Sequence, residues 1–221
     1  MSDPVIAAEH LSKWYGQVIG LNDVALAVPS GVTGLLGPNG AGKSTLMKLV
    51  TGQLKPSKGS LTVLGERIWG NPALFFRIGF CPEQDSFYDR MSGLDWVTSL
   101  VRLHGFGDAE ALGMARRALD QVELTSAADK KIGAYSKGMR QRIKFALAIV
   151  HEPRVLILDE PLNGLDPMAR AEVIELFRNF AESGMHVVIS SHILHEVDII
   201  SDRIVMMSSG YVVAEGDIQG V

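Results

Sequence analysis

The sequence has one cysteine, Cys81, in 221 residues. That excludes an internal disulfide framework and argues against a structural zinc site, which needs several Cys or His ligands. It has no apolar run near the about 18 residues needed to cross a bilayer; its longest, such as Phe145–Val150 and Val155–Leu158, suit a strand or a buried helix. It has no excess of positive charge: 21 Lys and Arg against 25 Asp and Glu leave −4, which disfavours binding of nucleic acid or anionic membrane through bulk charge. It has no internal repeat and no low-complexity tract. The opening Met1-Ser2-Asp3-Pro4 lacks the basic and apolar regions of a signal peptide, so a cytosolic chain is expected.

The remainder is 47% hydrophobic, enough in a chain of this length to build a core without a disulfide or a metal. Short strands are expected over Val5–Val28, broken by Gly16 and Gly20, and at Val32–Leu36, Ser60–Leu64, Ile78–Phe80, Val155–Leu158, His186–Ser190, Arg203–Met207 and Tyr211–Ala214. Helices are expected at Ser44–Thr51, Asp95–His104, Asp108–Val122, Lys137–His151, Pro167–Glu182 and Ile193–Ser201. Alternating strands and helices imply an α/β fold with a mostly parallel sheet covered on both faces. The helix-only stretch from about Asp85 to Ile149 interrupts the alternation and reads as a helical insertion.

Gly37-Pro38-Asn39-Gly40-Ala41-Gly42-Lys43-Ser44-Thr45 fits G-x-x-x-x-G-K-[ST], with a strand before it and a helix after it. Glycines let backbone N–H groups close around phosphate oxygens, and the helix N-terminus adds a positive dipole end. Lys43 is the point charge for the β- and γ-phosphates, and the Ser44 hydroxyl is a Mg²⁺ ligand. Val155-Leu156-Ile157-Leu158-Asp159-Glu160 is an apolar strand ending in two carboxylates. Asp159 is the expected Mg²⁺ ligand and Glu160 the general base that polarises the attacking water.

Together these residues resemble the nucleotide-binding subunit of ATP-binding cassette (ABC) transporters, and further pieces fall in the family's order. Gln84 looks like the Gln-loop residue that meets Mg²⁺ or the attacking water. Tyr135-Ser136-Lys137-Gly138-Met139-Arg140-Gln141 looks like the signature motif. Asn163-Gly164-Leu165-Asp166 resembles the D-loop, His192 the switch histidine that senses the γ-phosphate, and Tyr15 the aromatic that stacks on adenine. The likeness runs from Tyr15 to the strand at Tyr211. It implies a P-loop NTPase fold over 1–221, with an antiparallel N-terminal β subdomain and a helical subdomain at 85–150 that carries the signature. It also implies ATP and Mg²⁺ as cofactors, and a second, identical or different, ATPase subunit paired head-to-tail. Each ATP then touches one subunit's phosphate loop and the other's Ser136 and Gly138, with Asp166 near the shared interface. A separate transmembrane permease would hold the chain on the inner face of the membrane, and no nucleic acid is expected.

The signature departs from the common Leu-Ser-Gly-Gly-Gln. Lys137 stands for a Gly and Met139 for a Gln, a form also met in exporter ATPases whose membrane domain is a separate chain. Plainer roles compete at several positions. Asp166 before Pro167 is also a good helix N-cap. His192 and His195 lie three apart but lack further ligands for zinc. Ile143, Phe145, Ala146 and Ile149 read as core, and so do Met206 and Met207, while Trp69 and Phe75–Phe76 fit either packing or a partner surface. A soluble ABC-type switch on ribosomes or nucleic acid is the competing reading. Such proteins usually carry two cassettes or long coiled-coil insertions, neither of which fits 221 residues. A small-molecule kinase sharing the phosphate loop is the third reading, opposed by the signature, the D-loop and His192.

Overall fold

Strand side chains alternate between faces, and in this chain the alternation divides one sheet between two cores. In the computed structural model, which describes residues 3–217, Val155 and Ile157 join one apolar cluster while Leu156 and Leu158 join the other. Residues 1–2 and 218–221 of the expected 1–221 span lie outside the described part.

In chain order the elements begin with β1 (Ile6–Tyr15), β2 (Val18–Val28), β3 (Val32–Leu36), α1 (Lys43–Val50), β4 (Lys58–Val63), β5 (Glu66–Arg67), α2 (Pro72–Phe75) and β6 (Ile78–Cys81). Three helices follow: α3 (Gly93–Leu103), α4 (Asp108–Gln121) and α5 (Lys137–Ile149). The chain then alternates through β7 (Val155–Leu158), α6 (Pro167–Glu182), β8 (His186–Ser191), α7 (Leu194–Ile200), β9 (Arg203–Ser208) and β10 (Tyr211–Asp217).

Two sheets result. One is antiparallel, in the order β2-β1-β4-β5; the other has the order β10-β9-β3-β8-β7-β6, parallel except for β9–β10. The fold is thus that of a P-loop NTPase, with an antiparallel β layer beside a mostly parallel sheet. The antiparallel sheet shares a core with α1 and with Ile157, Val188 and Val205 of the parallel sheet. Helices α3 to α6 pack on the opposite face. There Phe145 and Phe177, both fully buried, meet edge to face at 5.1 Å between centroids. Burying each such ring contributes about 1.5–3 kcal/mol, and the edge-to-face geometry adds to it.

Three local outcomes differ from the sequence expectation. Gly20 lies inside β2 and does not end it: a Cβ there would sit 2.7 Å from the Tyr15 ring, so glycine is what lets that ring lie against the strand. Helix α3 starts two residues early, at Gly93, because Ser92 caps it, accepting from the Asp95 N–H at 3.0 Å and donating to the Asp95 carboxylate at 2.7 Å. β5 and α2 were not expected, being too short to carry a periodic signal.

The topology places the site. Strands β3, β8 and β7 are neighbours in parallel register, with Leu36 opposite Ser191 and Leu158 opposite Ile189. Their carboxyl ends therefore bring the phosphate loop, His192 and the Asp159–Glu160 pair side by side, at the edge where open α/β sheets bind ligands.

Candidate active site

The phosphate loop is pinned at three points. The Gly37 N–H donates to the Ser191 carbonyl at 3.3 Å, the Ala41 N–H to Pro38 at 3.1 Å, and the Gly210 N–H to Ala41 at 2.9 Å. Pro38, Asn39 and Gly40 form its exposed crest. Gly42 caps α1 with φ +104, a left-handed conformation that favours glycine, and a Cβ there would lie 2.7 Å from the Gly20 carbonyl. Lys43 is 6% exposed. Its Nζ donates to the carbonyls of Gly37 (2.6 Å) and Pro38 (3.3 Å) and lies 3.3 Å from Glu160 Oε1. A buried ammonium must be met by oxygens, and here the loop's own carbonyls and one carboxylate supply them. Ser44 and Thr45 follow on the first turn of α1, and Thr45 Oγ1 lies 3.4 Å from the Tyr15 hydroxyl. Tyr15 is thereby held next to the phosphate loop with its ring half exposed.

At the end of β7, Asp159 is buried, its N–H donating to the Cys81 carbonyl at 2.9 Å. Ser190 ties the two acids together: its Oγ donates to Asp159 Oδ1 at 2.7 Å and accepts from the Glu160 N–H at 2.8 Å. Glu160 has φ +47, a left-handed conformation unusual for a residue with a side chain. Its carboxylate is also buried. Oε2 meets His192 Nδ1 at 2.9 Å, while Oε1 makes no hydrogen bond and has only the Lys43 ammonium beside it. An ionised carboxylate only accepts, so His192 carries a hydrogen on Nδ1, leaving Nε2 as the ring's other polar atom. Lys43, Glu160 and His192 thus form one hydrogen-bonded and ion-paired row across the ends of β3, β7 and β8.

A second group stands apart. Ser136 caps α5, its Oγ accepting from the Met139 N–H at 3.2 Å. Asp166 caps α6, accepting from the N–H groups of Met168 and Ala169 at 3.0 Å, with Pro167 at the first helical position. Ser136, Gly138 and Asp166 line one cavity of about 430 Å³ together with Lys137 and Gly164, and no residue of the phosphate loop or of the Asp159–Glu160 pair borders it. Lys137 lays its ammonium over Gly164, which has φ +68.

The ABC transporter family model matches residues 21–163, which include the phosphate loop, the signature and both acids. The chain belongs to the ABC transporter family. It is 38% identical over 217 residues to the bacitracin transport ATP-binding protein BcrA of Enterococcus faecalis, covering 97% of this chain and 70% of that protein. It is 36% identical over 217 residues to the lantibiotic transport ATP-binding protein SrtF of Streptococcus pyogenes, covering 98% and 92%. A solved structure of cbiO1 from Clostridium perfringens, described as part of the ABC transporter complex cbiONQ, superposes with a TM-score of 0.87 at 29% identity, over 99% of this chain and 90% of that one.

This ABC protein binds ATP and is an ATPase. Its structure gathers Tyr15, the loop Gly37–Thr45, Asp159, Glu160 and His192 in one place, and Ser136, Gly138 and Asp166 in another. Gln84 joins neither group: it is exposed on the loop after β6 and makes no side-chain hydrogen bond among the described residues. Its neighbour Glu83 does reach the D-loop, accepting from Asn163 Nδ2 at 3.2 Å. Sequence reasoning missed Ser190, whose hydroxyl gives no sign of its role until β7 and β8 are paired. It also missed Lys144, a cation lodged in the apolar face of α5. Beneath that helix the Cys81 thiol is fully buried and pushed up to about 12, chiefly by desolvation, with the Lys144 charge opposing. It is a core group with no nucleophilic character at neutral pH.

Proposed function

We propose that this chain is the ATP-hydrolysing subunit of an exporter, working as a head-to-tail pair beneath a separate membrane-spanning permease. The carrying observation is the division of the site. Each chain holds the Lys43–Glu160–His192 row at the phosphate loop and, bordered by no residue of that loop, a signature cavity containing Ser136 and Gly138. A second copy turned about a two-fold axis brings the missing half to each phosphate loop. The names of BcrA and SrtF, both transport ATP-binding proteins, support the transport role, and the Ser136-Lys137-Gly138-Met139 form of the signature favours export. Among the described residues no helix is long and apolar enough to cross a membrane, and in this reading the spanning part is another chain. Attachment is then peripheral, on the cytoplasmic face. The helical stretch 85–150 and the loop at Gln84 are the proposed contact region.

In this reading Lys43 exchanges the carbonyls of Gly37 and Pro38 for the β- and γ-phosphates, and Tyr15 stacks on adenine. Glu160 accepts a proton from water as its oxygen bonds to the γ-phosphorus and the bond to the β-phosphate oxygen breaks. His192 orients the Glu160 carboxylate and donates to the γ-phosphate, while Ser136 and Gly138 of the second copy donate to the same phosphate. The residues fit Mg²⁺: a hydroxyl at Ser44 and one buried carboxylate at Asp159, with no cluster of three acids or histidines among the described residues, match an ion that keeps waters and leans on substrate phosphates. When bound, Mg²⁺ neutralises charge on the phosphates; Ser44, Asp159 and Gln84 are the residues that would hold it.

The test is purification of the tagged chain from detergent-solubilised membranes. A stoichiometric protein with several apolar spans is the expected companion. Recovery with ribosomes, or as a lone protein absent from the membrane fraction, contradicts the reading. Lys137 gives a narrower check. Its side chain is exposed and its contact with the D-loop solvated, so Lys137→Gly is expected to change ATP turnover by less than about five-fold. A larger loss in a steady-state assay would place Lys137 among the groups that touch phosphate.

A further inference from the structure

A buried ammonium stands where the apolar face of α5 calls for hydrocarbon. Lys144 lies between Ile143 and Phe145, both fully buried, and is itself 6% exposed. Its Nζ donates to the carbonyls of Pro82 (3.0 Å) and Glu83 (2.9 Å) and lies 3.1 Å from the Asp85 carboxylate. An ammonium has three N–H donors, and here it has three oxygens to meet, so the charge is fully coordinated despite its burial. The three partners are residues 82, 83 and 85. They flank Gln84 on both sides.

We infer that Lys144 is a positioning residue for Gln84. It ties the backbone before Gln84 and the Asp85 carboxylate after it to α5, about two helical turns from Ser136, the cap of the same helix. A rigid helix fixed at both points cannot let the Gln84 loop move without moving the signature, so one lysine sets where Gln84 stands and couples it to the group that faces the second copy's ATP. The inference rests on the proposed contact of Gln84 with Mg²⁺ or the attacking water. A hydrocarbon at residue 144 suits the same buried position on α5 but leaves the loop free.

Lys144→Met keeps an unbranched side chain, one atom shorter, that can fill most of the same space, and removes the three donors. Pro82, Glu83 and Asp85 are exposed residues whose freed oxygens water can meet, so the variant is expected to fold. Misplacing a contact by an ångström is worth up to about 100-fold in rate, so turnover of MgATP is expected to fall by about 10- to 100-fold. The KM for MgATP is expected to stay within about two-fold, because the phosphate loop is untouched. Asp85→Asn strips the charge from one of the three arms while keeping an acceptor oxygen, leaves the buried lysine in place, and is expected to lower turnover by a smaller factor. The discriminating measurement is a double-mutant cycle. Gln84→Ala slows the native protein, and in the Lys144→Met background it is expected to change turnover by less than about two-fold further, because the two residues act in series. If Lys144→Met does not fold, the same cycle is run with Asp85→Asn.

Full additivity, or a rise in KM with unchanged turnover, overturns the role of Lys144 while leaving Gln84 in the site. Normal turnover of Gln84→Ala on its own overturns the placing of Gln84 first, and the coupling with it.

Discussion

Glu160→Gln is expected to bind MgATP with near-native affinity and to hydrolyse it at least ~100-fold more slowly, since a positioned general base supplies about 10²–10⁴ in rate. The geometry explains why binding survives. In the native chain the Glu160 carboxylate accepts from His192 Nδ1 at 2.9 Å and faces the Lys43 ammonium at 3.3 Å. An amide has one oxygen, so it can serve only one of these two donors; the other side turns an NH₂ group to its neighbour. If that neighbour is Lys43, the ammonium loses its counter-charge and becomes freer to grip phosphate. If it is His192, the ring must give up its Nδ1 hydrogen and keep one on Nε2. Neither outcome removes a phosphate contact, and both remove the proton acceptor. Equilibrium nucleotide titration beside single-turnover hydrolysis separates the two effects. Turnover near the native rate with normal binding would mean that another group takes the proton.

Much of this was legible because the chemistry is local. A glycine-rich crest between an apolar strand and a helix announces a phosphate site in nine consecutive residues, Gly37–Thr45, and the strand Val155–Leu158 announces the acids that follow it. Helix α6 was placed at Pro167–Glu182 in sequence and structure alike because Asp166 and Pro167 mark its start so strongly. What escaped was non-local. Ser190 matters only because β8 lies beside β7, and the need for glycine at position 20 of β2 shows only once the Tyr15 ring lies against it. The two residues of β5 are held by their pairing with β4 and by the Glu66–Arg77 ion pair at 2.6 Å, neither of which leaves a period in the sequence. Lys144 did leave a trace, a charge inside an apolar stripe, but its meaning required the Gln84 loop to be folded back onto it.

The division of the site into two groups yields the second large effect. Lys43→Met and Ser136→Ala are each expected to lower turnover by at least ~100-fold, the first by stripping the phosphate loop of its charge, the second by removing a phosphate donor, an effect of the size seen when one oxyanion donor is lost. Ser136→Ala also removes the cap on the Met139 N–H, worth about 0.5–2 kcal/mol of helix stability, so its thermal unfolding is measured alongside. Mixing the two inactive proteins then discriminates. In a head-to-tail pair containing one of each, one site carries both defects and the other carries neither, because the intact phosphate loop of the Ser136→Ala protomer meets the intact signature of the Lys43→Met protomer. Random pairing makes roughly half of the dimers of this mixed kind, so turnover should return to roughly a quarter of native, and should fall away on dilution as the pairs separate. A site completed within one chain predicts the opposite, a mixture no more active than the sum of its parts at every concentration. That result would require the cavity of Ser136 and Gly138, which no phosphate-loop residue borders in the present fold, to close onto its own phosphate loop.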